Sequence, residues 1–239
     1  MDEATLRRID EFWARRLGCD EAQLRAAGRH VLKQDRAAPP HVFLLAREET
    51  LIVRGESRAC AAVTAAMGDK VSLPSVAVLA EALGPRIDRI VGPAFLGYRD
   101  APPELPPGAG EVRVLGATDR SALMRLHDAV TDEEWEHAGI QLEDPRAHVI
   151  GAFEEDRLLA AASFATLLER VAHVGVLSHP MSRRRGAGRR VAAAAASAGA
   201  ERGLLLQYQT LEANQPSMRI ATVLGFERYA ASLAVRIAA

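Results

Sequence analysis

Apolar residues recur every three or four positions at the start of the chain, with Leu6, Ile9, Phe12, Trp13 and Leu17 on one face. That spacing predicts an amphipathic helix over residues 3–16. Asp20 is placed to cap a short helix through Leu24. Residues 41–46 and 50–54 are short apolar runs on either side of Arg47-Glu48-Glu49, and they read as a strand pair. Residues 57–67 and 75–83 read as helices, the second stopped by Gly84-Pro85. Residues 89–96 read as a closing strand. Together they make a small α+β domain over residues 1–100, whose pattern names no chemistry.

The pattern breaks at residues 99–110, where four prolines and two glycines fall together. Such a stretch lacks amide donors and disfavours helix and sheet interiors, so residues 101–110 read as a linker. Beyond it, residues 111–115 predict a strand and 118–127 a helix capped by Thr118. Residues 148–154 and 157–166 predict strands around Glu155-Asp156, and residues 170–177 a third. An Ala-rich helix follows over 188–201, ended by Gly203. A strand (204–210), a helix (216–224) and a last strand (228–237) complete residues 111–239. The order β-α-β-β-β-α-β-α-β gives an α/β (α+β) fold with a mixed sheet and helices packed on it.

Composition narrows the function. The 239 residues are 49% hydrophobic and 26% charged, with a net charge of −1. No global basic field exists to hold nucleic acid. Cys19 and Cys60 stand alone, and the seven histidines show no metal-ligand spacing. No metal site is expected. No apolar run approaches the roughly 18 residues of a membrane span, and no signal segment is visible, so a cytoplasmic protein is expected.

The informative segment is Val174-Gly-Val-Leu-Ser-His-Pro-Met-Ser-Arg-Arg-Arg-Gly-Ala-Gly-Arg-Arg190. A strand enters a loop that ends in Gly186-Ala187-Gly188 at a helix start. Helix N-termini expose unpaired N–H groups at the positive end of a dipole, and glycines let the backbone approach an anion. Arg183, Arg184, Arg185, Arg189 and Arg190 add charge. The segment therefore reads as a phosphate or pyrophosphate cradle. It is neither a Walker loop nor a GxGxxG fingerprint. The competing readings are a solvated basic turn and a nucleic-acid patch, the latter without interleaved aromatics.

Arg183-Arg-Arg-Gly186-Ala-Gly188 resembles the [Q/R]-x-x-G-x-[G/A] pyrophosphate signature of the GCN5-related N-acetyltransferase (GNAT) superfamily, with Pro180 three residues ahead. Asn214, Ser217, Ile220 and Leu224-Gly225-Phe226 resemble that family's second motif at the usual spacing. The resemblance covers roughly residues 111–239. It implies that acetyl-CoA lies in a V-shaped gap between the strands 170–178 and 204–210. Backbone groups of Val176, Leu177 and Ser178 would hold the pantetheine arm and polarise the thioester carbonyl. Residues 183–189, including Ala187, would cradle the pyrophosphate. Asn214 would cap the next helix, contact the arm, or both. The implied reaction is direct attack of a primary amine on the thioester, with no acyl-enzyme; O-acylation stays open.

Two departures accompany the resemblance. The family's Tyr acid falls at Ala221, and the Glu base of some members falls at Ala172. His173 is the candidate base, with Glu169, His179 or a water relay as alternatives. The lost pair also keeps open a non-catalytic acyl-CoA-binding or regulatory protein. Acidic residues around Trp135 (Asp132, Glu133, Glu134 and Glu136) suit a cationic acceptor through charge and cation–π contact. The alternative there is an exposed acidic helix start anchored by Trp135. Residues 1–100 are open as an acceptor-recognition module, an oligomerisation unit or a degenerate second copy of the fold. Family members often form homodimers.

Overall fold

Helix α1 (Glu3–Leu17) begins where expected because Asp2 accepts the Thr5 N–H at 2.8 Å, and it ends at Gly18 with φ 67°. This computed structural model describes residues 1–33, 41–108, 110–140 and 148–238; Ala109 of the expected linker lies outside them. The chain forms two compact units. One comprises residues 2–96, 210–215 and 228–239, the other residue 1, residues 97–209 and residues 216–227. The units thus group the chain otherwise than at the proline-rich segment alone, since the final strand joins the N-terminal unit.

In that unit, α2 (Glu21–Arg25) starts at Asp20, whose N–H donates to the Gln23 side chain at 3.1 Å. The next strand, β1 (Gly28–Lys33), is absent from the sequence reading. It pairs in parallel with β3 (Thr50–Gly55) and lies at the sheet edge, so burial imposes no clean apolar alternation on Arg29, His30 and Lys33. β2 (His41–Arg47), α3 (Ser57–Met67), α4 (Val76–Leu83) and β4 (Ile87–Arg99) follow. The strand order is β1-β3-β2-β10-β4, with β10 (Glu227–Ile237) antiparallel to β2 through Ala231↔Ala46. Val42, Leu44, Leu51 and Val53 pack with Val63, Met67, Leu79 and Leu83 from the helices and with Leu233 and Val235 from β10. Buried Asp10 accepts from Arg25 at 2.6 Å, from Arg47 at 2.8 Å and from the Tyr229 hydroxyl at 2.7 Å. A buried carboxylate is tolerable when its oxygens are occupied in this way.

The other unit holds β5 (Glu111–Val114), α5 (Arg120–Asp128), α6 (Asp132–Ala138), β6 (Ile150–Glu154), β7 (Arg157–Leu167), β8 (Val171–Ser178), α7 (Ala187–Ala200), β9 (Leu205–Leu211) and α8 (Gln215–Val223). The order is β9-β8-β7-β6-β5, antiparallel except for β8 with β9. Leu123, Leu126, Ala138, Phe153, Leu158 and Leu177 form the core on the α5–α6 face. On the other face lies α7. A Cβ built on its Gly199 would stand 2.7 Å from the Ala172 Cβ. Gly199, among the alanines of α7, thus lets helix and strand approach closely.

Thr118 does not cap α5. It lies in a 3-10 turn (Ala117–Asp119), and α5 starts two residues later than expected. Asp119 organises the turn instead. It accepts the Gly116 N–H at 2.9 Å and both Arg113 guanidinium nitrogens at 2.7 Å. These bonds pull its carboxyl down to about 2. A lowered native value stabilises the fold above the ordinary carboxylate range, and that contribution disappears as pH falls from about 4 toward 2. Asp119→Asn is expected to cost about 1–2 kcal/mol at neutral pH in urea titration. The difference from the parent chain should shrink on acidification across that window.

Candidate active site

Hydrogen bonds fix which way the backbone of β8 faces. The Arg170 carbonyl accepts the Leu205 N–H at 3.0 Å, and the His179 N–H donates to the Leu159 carbonyl at 2.9 Å. Backbone groups alternate along a strand, so even-numbered residues turn theirs toward β9 and odd-numbered residues toward β7. Parallel pairing with β9 runs from Val171↔Leu205 to Val174↔Tyr208, while pairing with β7 continues to Ser178. Val176 and Ser178 therefore direct their amides to the side where pairing with β9 has ended. Leu177, expected beside them, turns its amide toward β7 and buries its side chain in the core.

Beyond β8 comes the glycine segment. Gly186 stands at the N-cap of α7 with φ 85°, a conformation glycine adopts without strain, and no side chain caps the helix. The first helical bond runs from the Arg190 N–H to the Gly186 carbonyl at 3.1 Å. The N–H groups of Ala187, Gly188 and Arg189 thus have no partner within the helix. A Cβ built on Gly188 would lie 2.5 Å from the Ser178 Oγ and 3.7 Å from both Ile220 and Val176. Helix start, strand end and α8 converge there on a space that a side chain would fill. Ser182, 1% exposed in the preceding turn, has no hydrogen-bond partner for its hydroxyl among the described residues. Open amides, a cradle closed to a Cβ and an orphaned hydroxyl together fit a diphosphate-bearing cofactor.

The arginines are less available than the sequence suggests. Arg183 pairs with Glu134 at 2.7 Å and Arg185 with Glu154 at 2.7 Å, while Arg190 donates to the Gly110 carbonyl at 3.1 Å. Arg184 is exposed with φ 66°, and Arg189 is half-buried. Replacing Arg183 with Ala should therefore weaken coenzyme A binding by only about 1 kcal/mol, since its charge is already shared with Glu134. A calorimetric titration checks this.

His173 lies on β8 beside Gln207, its Nδ1 2.9 Å from the Gln207 Oε1. Ala172, next to it, is 0% exposed beneath α7, so a carboxylate there would be buried rather than poised. Ala221 is likewise 0% exposed, and its carbonyl accepts the Phe226 N–H at 3.0 Å. Tyr208 stands at the last β8–β9 pair with its hydroxyl 2.9 Å from that of Ser217 on α8. Burial pushes that phenol up to about 12, so it keeps its proton at neutral pH. Of the other base candidates, His179 accepts the Met181 N–H at 3.2 Å and so closes a turn. Glu169 sits in the β7–β8 hairpin, before β8 begins. Asn214 closes the turn after β9, its N–H donating to the Leu211 carbonyl at 2.9 Å.

The acidic segment is helix α6. Thr131 caps it through the Glu134 N–H at 3.2 Å, and Glu134 returns a bond to the Thr131 N–H at 3.3 Å. Glu134 is thus held by its cap and by Arg183. Trp135 is half-buried, edge-on to His127 with ring centroids 4.6 Å apart. Glu136 is exposed. Gln207, Tyr208 and Tyr98 escaped the sequence reading, because no spacing links residue 98 to residue 207.

Residues 118–226 match the acetyltransferase (GNAT) family. No curated protein matches the chain. Among solved structures, a GCN5-related N-acetyltransferase-like protein from Streptococcus suis aligns over 98% of this chain and 99% of its own, at 14% identity and a TM-score of 0.54. A GNAT-family acetyltransferase from Colwellia psychrerythraea aligns over 64% of this chain at 15% identity and a TM-score of 0.51. A GNAT-family protein from Novosphingobium aromaticivorans aligns over 63% at 23% identity and a TM-score of 0.49. This chain spans 59% of the Colwellia protein and 65% of the Novosphingobium protein. The similarity to that family lies in the C-terminal half of the chain.

Proposed function

We propose that the chain transfers the acetyl group of acetyl-CoA, the cofactor of this family, to a primary amine by direct attack on the thioester. The observation that carries this reading is the meeting of the uncapped start of α7 with the end of β8, where a Cβ on Gly188 would reach Ser178. The amides of Ala187, Gly188 and Arg189 would hold the pyrophosphate, with the Ser182 hydroxyl close in sequence. The amides of Val176 and Ser178 would receive the pantetheine arm as an added strand would. When bound, the cofactor supplies an activated acetyl thioester. His173 takes a proton from the acceptor ammonium.

Calorimetric titration with acetyl-CoA and CoA, followed by thiol release against a panel of amines, tests the proposal. Binding with turnover supports it. Binding without turnover across a broad panel favours the sensor, and absence of binding overturns both readings.

A further inference from the structure

The two ends of helix α6 are held by different kinds of contact. At the C-terminal end the Ala138 carbonyl lies so close to Gly175 of β8 that a Cβ has no room there. That contact is backbone against backbone, and no solute competes for it. At the N-terminal end the hold is an ion pair. The Arg183 guanidinium donates to the Glu134 Oε1 at 2.7 Å, across 49 positions of sequence. The Arg183 side chain is 46% exposed and that of Glu134 39%, so a dissolved anion can reach the pair. Ion pairs of this kind hold weakly and yield to a competing ion. The other Glu134 oxygen, Oε2, accepts the Thr131 N–H at 3.3 Å and belongs to the cap of α6. One carboxylate thus serves a helix cap and an arginine of the glycine segment at once.

We infer that Glu134 is an internal competitor for the cofactor's diphosphate: it holds Arg183 until the diphosphate takes it, and so sets the affinity for coenzyme A. The inference rests on the reading of the α7 start as a pyrophosphate cradle. Arg183 stands three residues before Gly186, the N-cap of α7, and directly after Ser182, whose buried hydroxyl lacks a hydrogen-bond partner among the described residues. A guanidinium presents the same fork of N–H groups to a phosphate as to a carboxylate, and a diphosphate carries the greater charge. Arg183 therefore exchanges its bond to Oε1 for one to a phosphate oxygen, with no covalent change. Glu134 keeps its bond to Thr131. Loading of the cradle frees the N-terminal end of α6 from Arg183, while the end against Gly175 stays fixed. The cost of separating Arg183 from Glu134 is subtracted from every binding event.

The test is a double-mutant cycle on the full chain, read by calorimetric titration with coenzyme A. Glutamine serves at this cap position as glutamate does, so Glu134→Gln removes the charge and keeps the start of α6. Glu134→Gln should tighten binding about two- to fivefold, the range for releasing one exposed ion pair. In the Arg183→Ala background the same change should do nothing. Arg183→Ala, which costs about fivefold in the parent, should then cost about ten- to twenty-five-fold when residue 134 is glutamine. Arg183→Gln replaces the alanine variant should that one misfold. Asp132→Asn removes an equal charge from the first turn of α6 and should leave the affinity near the parent's. S-acetylpantetheine, which has the thioester arm without the diphosphate, should compete equally well against either residue at position 134. No gain from Glu134→Gln, an equal gain without Arg183, or an equal gain for S-acetylpantetheine overturns the inference. A parent chain that does not bind coenzyme A overturns the cradle reading instead.

Discussion

Gly188→Val is expected to abolish measurable coenzyme A binding in calorimetric titration while the domain stays folded. Gly188 is the second residue of α7, and its position is closed by Ser178, Val176 and Ile220 from two other elements. The first new carbon would meet the Ser178 Oγ at 2.5 Å, a contact that rotation of a serine side chain can relieve. Valine adds two methyl groups on the same carbon and crowds the junction of α7, β8 and α8 where the amides of Ala187, Gly188 and Arg189 would hold the pyrophosphate. Each amide bond to a charged group is worth about 1.5–3 kcal/mol. Losing two of them weakens binding by at least a hundredfold. Gly188→Ala makes the graded control, because it adds only the carbon that Ser178 can avoid. A folded Gly188→Val chain with parental affinity would sink the cradle.

His173→Ala is expected to lower turnover by about 10²- to 10⁴-fold, the range for a positioned general base. The affinity for coenzyme A should not change, because the amides of Val176, Ser178 and residues 187–189 are untouched. The acidic limb of the rate profile should vanish with the imidazole. Turnover equal to the parent's would remove His173 from the mechanism. The same substitution should leave Tyr208 in place, since its hydroxyl is tied to Ser217 and not to the histidine.

Much of this was legible in the residues. The glycine segment announced the helix start because an uncapped N-terminus with a close approach needs glycine, and few other structures need it twice in three positions. In the N-terminal unit the first helix was legible from its apolar face and the second from Asp20. Three features were hidden for separate physical reasons. Strand β1 has no period because an edge strand paired on one side has no fully buried face to encode. Arg183 and Glu134 look like two site residues until the fold pairs them 49 positions apart. Gln207 looks like a stray polar residue in an apolar strand. Its meaning lies in partners at residues 98 and 173, which only tertiary structure brings near. The departures at Ala172 and Ala221 looked like a lost active site, and both positions are buried in the packing.

The place of β10 has a consequence for synthesis. Ala46 in β2 is translated early, but its neighbour across the sheet is Ala231. The first unit therefore waits on the ribosome with β2 unpaired on one side and with Leu44 and Val42 lacking Leu233 and Val235 above them. Its sheet can close only after the entire acetyltransferase-like domain has emerged. The nascent chain is thus obliged to hold an open strand edge from the emergence of β2 until that of β10, an interval in which chaperone engagement or mispairing with another copy competes with completion. A fragment ending before residue 228 would carry that exposure permanently.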